Sequence, residues 1–312
     1  MSLPAHVPRT QVDLVKEVQS VIEDDILTTP ANFGVIPVNP AFAAVGPDGG
    51  SIVITYTPEL AKRKKAGSLT RSGVLVLKKA YRAKLEFKAS DNNVALQKWC
   101  KNKSAKGNTG TPAASRTFVK SYLDGVTETF EIFSGCVPEK TNYAVNKSGE
   151  IIYSVDLICK TFDRNQIADG GITLGTGSFA TPDVAAPWIT ADGGNGAFTY
   201  NAKKYGVISF SADITRAWAD QNPSESLEVM MLTETDYVPS GTITVEKDDI
   251  TLGADQLATT PRASSIVLKA ATMTDTFTNV IFENHTGPDH SGNDTASLTD
   301  GGSYSADDFV SA

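Results

Sequence analysis

The 312-residue chain is 40% hydrophobic and 21% charged, enough length and apolar content for two ordinary domains with full cores and too much for a disordered chain. No stretch approaches the ~18 apolar residues needed to cross a bilayer. The first residues lack a basic-then-apolar leader, because Val15, Val18, Val21 and Ile22 are interrupted by acids. The formal net charge is −8, yet residues 1–165 hold 22 Lys+Arg against 16 Asp+Glu and residues 166–312 hold 6 against 20. Such asymmetry fits a nucleic-acid-binding half beside an acidic tail, or halves that attract one another across subunit boundaries. The negative total argues against tight binding of DNA phosphates and is compatible with a surface that DNA passes without sticking.

In chain order, residues 1–50 read as an irregular arm with one amphipathic run near Val12–Ile26, of which Asp13–Ile22 fits a helix of three turns, followed by Pro30, Pro37, Pro40 and Pro47. From Ser51 onward, β patterns dominate: Ile52–Tyr56, Gly73–Leu77 and Ala83–Lys88, the last with Leu85 and Phe87 on one face and Lys84, Glu86 and Lys88 on the other. The period then changes. Val94, Leu96, Trp99 and Cys100, after Ser90-Asp91, predict a capped helix of about three turns. Lys101–Ser115 reads as a polar loop; Phe118–Tyr122, Thr127–Phe133 and Ile151–Ile158 return to strand, with a turn at Asn146–Gly149. Gln166–Gly196 is a Gly/Thr/Ala/Asp-rich connector crossed by one short strand. Strands follow near Lys204–Ile214, Leu227–Leu232, Gly241–Lys247, Ser265–Lys269 and Phe277–Phe282, then a turn-rich acidic tail from His285 to Gly302. Many short strands and little helix predict all-β with minor α.

The second half reads as a rewritten copy of the first. Val53–Lys62 aligns without a gap to Val207–Arg216, Ala83–Phe87 to Gly241–Val245, Thr111-Pro112, Ser115 and Lys120 to Thr260-Pro261, Ser264 and Lys269, and Thr127–Phe133 to Thr274–Phe282. The order is kept while the offset drifts between 147 and 158. Repetition of this kind means one structural unit used twice, and a doubled unit suits assembly because one chain then fills two equivalent places in a ring. The domains expected are an N-terminal segment (1–50), a first β unit (51–165), a linker (166–200) and a second β unit (201–312).

No catalytic, metal or cofactor constellation emerges. Cys100, Cys136 and Cys159 fit neither a disulfide framework nor a metal spacing and read as buried or free thiols. His285, Asp289 and His290 share an exposed loop composition that is usually just solvated. Without a well-placed histidine, a Ser or Cys nucleophile lacks its usual base. Asp248-Asp249 and Asp307-Asp308 are adjacent acids that point apart on a strand or turn. Gly170–Gly177 contains Gly-x-Gly but no helix follows to hold a phosphate. The densest basic run, Lys62-Arg63-Lys64-Lys65, reads either as a solvated loop or as a contact with phosphate or an acidic partner. Its counterpart, Arg216 to Asp220, carries Trp218 in a polar hairpin loop, where an indole usually packs against something. Lys62, Arg63, Lys64, Lys65, Arg216 and Trp218 are therefore the candidate intersubunit contact-loop residues.

The block Thr129–Val137 followed, after a turn, by Gly149–Ile158 resembles the aromatic–Gly–Cys/Val–Val hairpin of the tail tube proteins of long-tailed double-stranded DNA phages. Lys204–Ile214, Pro239–Val245 and the ending Gly302-Ser303-Tyr304-Ser305-Ala306 resemble later strands of that family, in the same order. The resemblance implies β-sandwich or barrel units, each with a flanking helix or loop, in rings that stack into a hollow channel for the genome. It implies a structural virion protein of the tail, made in the host cytoplasm, without catalysis, metal, cofactor or membrane contact. Its partners would be itself, other tail proteins and DNA passing through the lumen without specific binding. A chain with two units implies a homotrimer with pseudo-sixfold symmetry, with a homohexamer as the alternative. A carbohydrate- or ligand-binding β-sandwich at a virion or cell surface is the competing reading.

Overall fold

β-branched and aromatic residues at alternating positions build long strands, and the computed structural model arranges them antiparallel throughout. It describes residues 14–25, 32–37, 40–46, 50–64, 71–124, 127–146, 151–166, 198–221, 231–246, 264–270, 273–284 and 299–312. In the first half these form β1 (Leu14–Asp25), β2 (Ala43–Ala44), β3 (Ser51–Lys64), β4 (Arg71–Lys88), α1 (Val94–Lys101), β5 (Ala114–Asp124), β6 (Thr127–Asn146), β7 (Ile152–Cys159) and β8 (Thr161–Gln166). The second half supplies β9 (Phe198–Tyr200), β10 (Lys203–Lys204), β11 (Val207–Gln221), β12 (Met231–Glu246), β13 (Ser265–Ala270), β14 (Met273–Phe282) and β15 (Thr299–Ser311). The fold is all-β with minor α, as the composition predicts.

The strand pairings of the two halves correspond. β1 pairs β2 and β5, as β9 pairs β10 and β13. The hairpins β3–β4 and β5–β6 match β11–β12 and β13–β14. β7 lies between β4 and β6, as β15 lies between β12 and β14. One further pairing joins the halves: Lys140–Asn146 of β6 runs beside Ser209–Thr215 of β11. The result is a sheet ordered β3-β4-β7-β6-β11-β12-β15-β14. Four of these strand pairs, β3/β11, β4/β12, β5/β13 and β6/β14, contain the segments set against each other in the sequence, but the residues are shifted. Opposite partners across the sheet match Phe87 with Gly241 rather than with Val245.

β6 serves two sheets. Its first part pairs with β5 and β8; beyond Cys136 it pairs with β7 and then β11. The change falls beside Gly135, whose φ of +62° is left-handed and whose added Cβ would stand 2.7 Å from Lys160 Cβ and 3.2 Å from the Gly34 backbone. Only glycine fits such a position without strain. Between the layers lies one core that runs through both halves. Phe87 stacks on Tyr153 at 4.8 Å, Tyr153 on Tyr143 at 5.3 Å, and Tyr143 meets Phe210 at 6.1 Å, Phe210 in turn meeting Tyr304. Burying each such side chain contributes about 1.5–3 kcal/mol.

Two expectations are corrected. Residues 14–25 form a strand, not a helix, and lie in the sheet beside β5. Leu14, Val15, Val18, Val21 and Ile22 mimic a helical period, but Val18, Gln19, Ser20 and Val21 are all buried, so both faces of β1 are covered and no alternation shows. The segment Thr299–Ser311, read in part as a turn-rich tail, is β15; Tyr304, Ala306 and Phe309 point into the core despite the Gly- and Ser-rich sequence. The helix after Ser90 is present. Ser90 Oγ accepts from Asn92 N at 3.1 Å and Ser90 N donates to Asn93 Oδ1 at 2.9 Å, a reciprocal cap on the 3-10 turn that leads into α1. The turn at 147–149, the connector at 167–196 and strand residues 227–230 lie outside the described residues.

Candidate functional site

The surface that distinguishes this chain is the outer face of the eight-stranded sheet together with its two ends. One row of directly opposed residues crosses all eight strands without a register break: Ser51, Glu86, Ser154 and Asn142 in the first half, then Asp213, Ser240, Ser305 and Ile281 in the second. All eight side chains lie on the open face, since the residues beside them in each strand, such as Leu85, Tyr153, Tyr143, Ala212 and Tyr304, are buried. In the second half this face is rich in hydroxyls: Ser211 and Thr242 share a 2.7 Å hydrogen bond, with Ser240, Ser303 and Ser305 beside them. In the first half, cations and carboxylates sit together. Lys84 Nζ lies 2.7 Å from Glu86, Lys140 Nζ 3.3 Å from Asp213 across the junction, and Arg82 pairs with Glu139. The hydrogen bond and charge of the Glu86 carboxylate raise the Lys84 pKa.

A buried clasp holds the halves together beneath the junction. α1 lies on the inner face, with Thr141 Oγ1 donating to Cys100 O at 2.7 Å. Its last residue, Lys101, is 1% exposed and donates to both oxygens of Asp275 of β14 at 2.7 Å. Asp275 also accepts from Tyr143 Oη at 2.9 Å and Ser311 Oγ at 2.6 Å. Burial lowers the Lys101 pKa while Asp275 pulls it back up; burial raises Tyr143 well above the usual phenol range, helped by the Asp275 charge. A second carboxylate, Glu23 of β1, accepts from Ser115 Oγ, Thr117 Oγ1, Gly34 N and Gly135 N, and so ties β1 and β5 to the turning point of β6.

No family model and no curated protein matches the chain.

The residues expected to form a contact loop are placed differently. Arg216 and Trp218 lie on β11 rather than in a loop. Arg216 is 2% exposed and donates to Lys101 O and Asn102 O, with Glu234 at 3.8 Å and Tyr237 beneath its guanidinium. Trp218 donates its indole N–H to Pro138 O at 2.9 Å and packs on Phe33, Val137 and Leu232. Both spend their contacts inside their own chain. Lys62, Arg63 and Lys64 are strand residues of β3, opposite Val74, Gly73 and Arg71, and Lys65 lies outside the described residues.

β4 meets β7 only from Tyr81 onward, so Thr57–Lys64 and Arg71–Ala80 form a two-stranded ribbon beyond the sheet. β11 and β12 likewise extend past their other neighbours, over Arg216–Gln221 and Met231–Pro239. Because β3 and β11 run in the same direction, both ribbons leave from one end of the sheet. Residues 56–80 carry seven Lys/Arg against one Glu, whereas 216–239 carry one Arg against five Asp/Glu.

Among the described residues no group of three potential metal ligands occurs, and no helix is long and apolar enough to cross a membrane. Asp307 and Asp308 are both exposed on β15, Asp307 accepting from Asn279. His285, Asp289, His290, Asp248-Asp249 and Gly170–Gly177 lie outside the described residues. A groove of about 280 Å³ beside the β14 end is lined by Thr242, Thr244, Asn284, Gly301, Gly302 and Ser303.

Proposed function

We propose that this chain is a structural virion protein, the tail tube subunit of a long-tailed double-stranded DNA phage, whose copies form stacked rings around a DNA-conducting channel. The observation that carries the reading is the correspondence of strand pairings between the halves together with their edge-to-edge junction at β6–β11. We read this as a duplicated unit: a chain built of two units joined side by side is an arc, and an arc of equivalent units closes into a ring by adding copies. Two units per chain favour a homotrimeric ring with pseudo-sixfold symmetry over a homohexamer.

The chemistry of the open face supports this. A wall that conducts DNA must not hold phosphates, and here each of Arg82, Lys84 and Lys140 has a carboxylate partner, beside the hydroxyls of the second half and the exposed apolar Val53, Ile152 and Ile281. The oppositely charged ribbons support it as well, because copies set side by side would alternate basic and acidic ribbons around one rim. The competing sugar-binding reading would need exposed aromatic platforms; of its candidates, Trp218 and Tyr237 donate to Pro138 O and Lys101 O within the chain, and Trp188 lies outside the described residues.

Negative-stain microscopy of the purified protein across a concentration series tests the proposal. The expected result is rings or hollow tubes with a central pore and threefold or sixfold averaging. A monomer that never assembles, particularly one that binds a glycan array, would overturn it.

A further inference from the structure

Spacing in the sequence keeps Cys136 and Cys159 apart, but the ladders around the fork of β6 bring them together. Past the fork, Val137 stands opposite Ile158; before it, Ser134 stands opposite Thr161. Both pairs belong to one register, which sets Cys136 of β6 directly opposite Cys159 at the end of β7. Directly opposed antiparallel residues present their side chains on one face, with Cα atoms about 4.5–5.5 Å apart. A disulfide spans Cα separations of ~4.4–6.8 Å.

We propose that Cys136 and Cys159 form a redox-responsive lock: exchange with a small-molecule disulfide such as oxidised glutathione closes an intrachain disulfide between them, and excess thiol reopens it. The inference is independent of the ring reading.

Three observations support it. Both thiols are free and buried within the same core cluster. Burial first, and then a hydrogen bond with the Cys159 thiol, push the Cys136 thiol well above its ordinary value, so the two sulfurs are already neighbours and the reduced pair is neutral and inert while the site stays closed. Cys100 differs. Burial lifts its thiol to about 12, and the charges that act on it belong to Arg116, Arg216 and Lys101, with no second sulfur among them. Lastly, the pair sits where a bond has a mechanical effect. Gly135 N donates to Glu23 Oε1 and Lys160 N to Ser134 O and Gly135 O, so hydrogen bonds alone tie the turning point of β6 to β1 and to the β7–β8 corner. The disulfide adds a covalent tie at the point where β6 passes from one sheet to the other.

The exchange balances in two steps. One cysteine thiolate attacks a sulfur of the small disulfide, giving a mixed disulfide and one departing small thiolate. The other cysteine thiolate attacks the Sγ of that mixed disulfide, forming the Sγ–Sγ bond and releasing the second small thiolate. The two cysteine protons end on the two released thiols, and the two electrons lost by the chain reduce the small disulfide. Since both sulfurs are buried, exchange passes through local opening at the fork.

Mass spectrometry and thermal melts of the full chain test the lock. The folded chain is incubated with oxidised glutathione in sub-denaturing urea, which hastens local opening, and is then unfolded and alkylated. It should lose the mass of two hydrogens, carry an alkyl group on Cys100 alone and yield a peptide linked through Cys136 and Cys159. The link closes a loop of about two dozen residues in the unfolded chain, so Tm should rise by about 5 °C and fall back with dithiothreitol. Cys100→Ala should keep the link and the shift. Cys159→Ala should lose both whatever its own starting Tm, because the response to oxidant is read as a difference. A fully unfolded sample, in which every thiol reacts, shows that the reagent is active. Three free thiols in the folded chain once that control has reacted would overturn the proposal. So would a stable glutathione adduct in place of the link, a link through Cys100, or a linked chain that melts where the reduced one does.

Discussion

Asp275→Ala removes the only carboxylate that, among the described residues, pairs with the buried Lys101 ammonium, and it leaves Tyr143 and Ser311 without this acceptor. Breaking a buried pair from one side costs about 3–5 kcal/mol, because the remaining charge loses its compensation without regaining water. With an unfolding entropy of roughly 2.1 cal/mol/K per residue over 312 residues, that lowers Tm by about 5–8 °C if unfolding is one transition. Thermal melts of the unassembled protein by far-UV circular dichroism give the number. The companion Lys101→Met should cost less than Asp275→Ala, and the double variant should cost less than the sum of the singles, since neither charge is then left alone. Asp275→Ala also strengthens the pull of burial on Lys101, so its loss should shrink as pH rises toward ~10.4, the ordinary lysine value. A Tm change under about 1 °C, or a strictly additive double variant, would refute the claim that this pair clasps the halves.

Glu23→Gln leaves two of the four donors, one hydroxyl and one backbone N–H, facing an amide NH2 instead of a carboxylate oxygen, with an expected cost of about 2–3 kcal/mol read from urea midpoints; a neutral result would mean that the carboxylate is not needed at the fork of β6. Gly135→Ala puts a Cβ into a left-handed position already crowded by Lys160, so a loss of about 2 kcal/mol or more is expected by chemical denaturation, and a gain would contradict the geometry. Alkaline stability has a definite sign. Burial raises Tyr143, Tyr153 and Tyr304 well above the ordinary phenol value in the folded state and raises Cys100 to about 12. The unfolded chain ionises first, so stability is complete below about pH 8.5 and falls steadily above about pH 10. A urea midpoint unchanged over that range would refute the burial of these groups. If the oppositely charged ribbons meet in the assembled state, raising salt from about 0.05 to 0.5 M, which shortens screening well below 10 Å, should weaken assembly measured by light scattering, with no change in Tm of the single copy.

Much of the fold is legible in the sequence where one face of a strand is wet. The alternation of Leu85 and Phe87 with Lys84, Glu86 and Lys88 marks β4, and Ser90 with Asn93 marks the start of the helical turn. β1 is hidden because neighbours cover both its faces, so its apolar positions follow packing rather than a period of two. β15 is hidden because it borrows its order from β12 and β14: Gly301 and Gly302 lie where a Cβ would meet the Ile243 and Asn284 carbonyls, a requirement invisible without the neighbours. Arg216 and Trp218 reveal the limit of reading polar context as exposure. Their polar groups find buried carbonyls on α1 and β6, more than 75 residues away in the chain. The row from Ser51 to Ile281 was beyond sequence reasoning because register is a property of pairs, not of strands.

The 20-residue strand β6 also bears on synthesis. Its Lys140–Asn146 edge is complete long before β11 leaves the ribosome. At roughly 5–20 residues per second, the ~70 residues that separate Asn146 from Asp213 take about 3–14 s to appear. During that interval a nascent chain displays an edge whose intended partner does not yet exist, while β3 of any finished neighbour offers a strand of the same direction and place. Polysomes translating this chain are thus a setting for premature cross-pairing of β6.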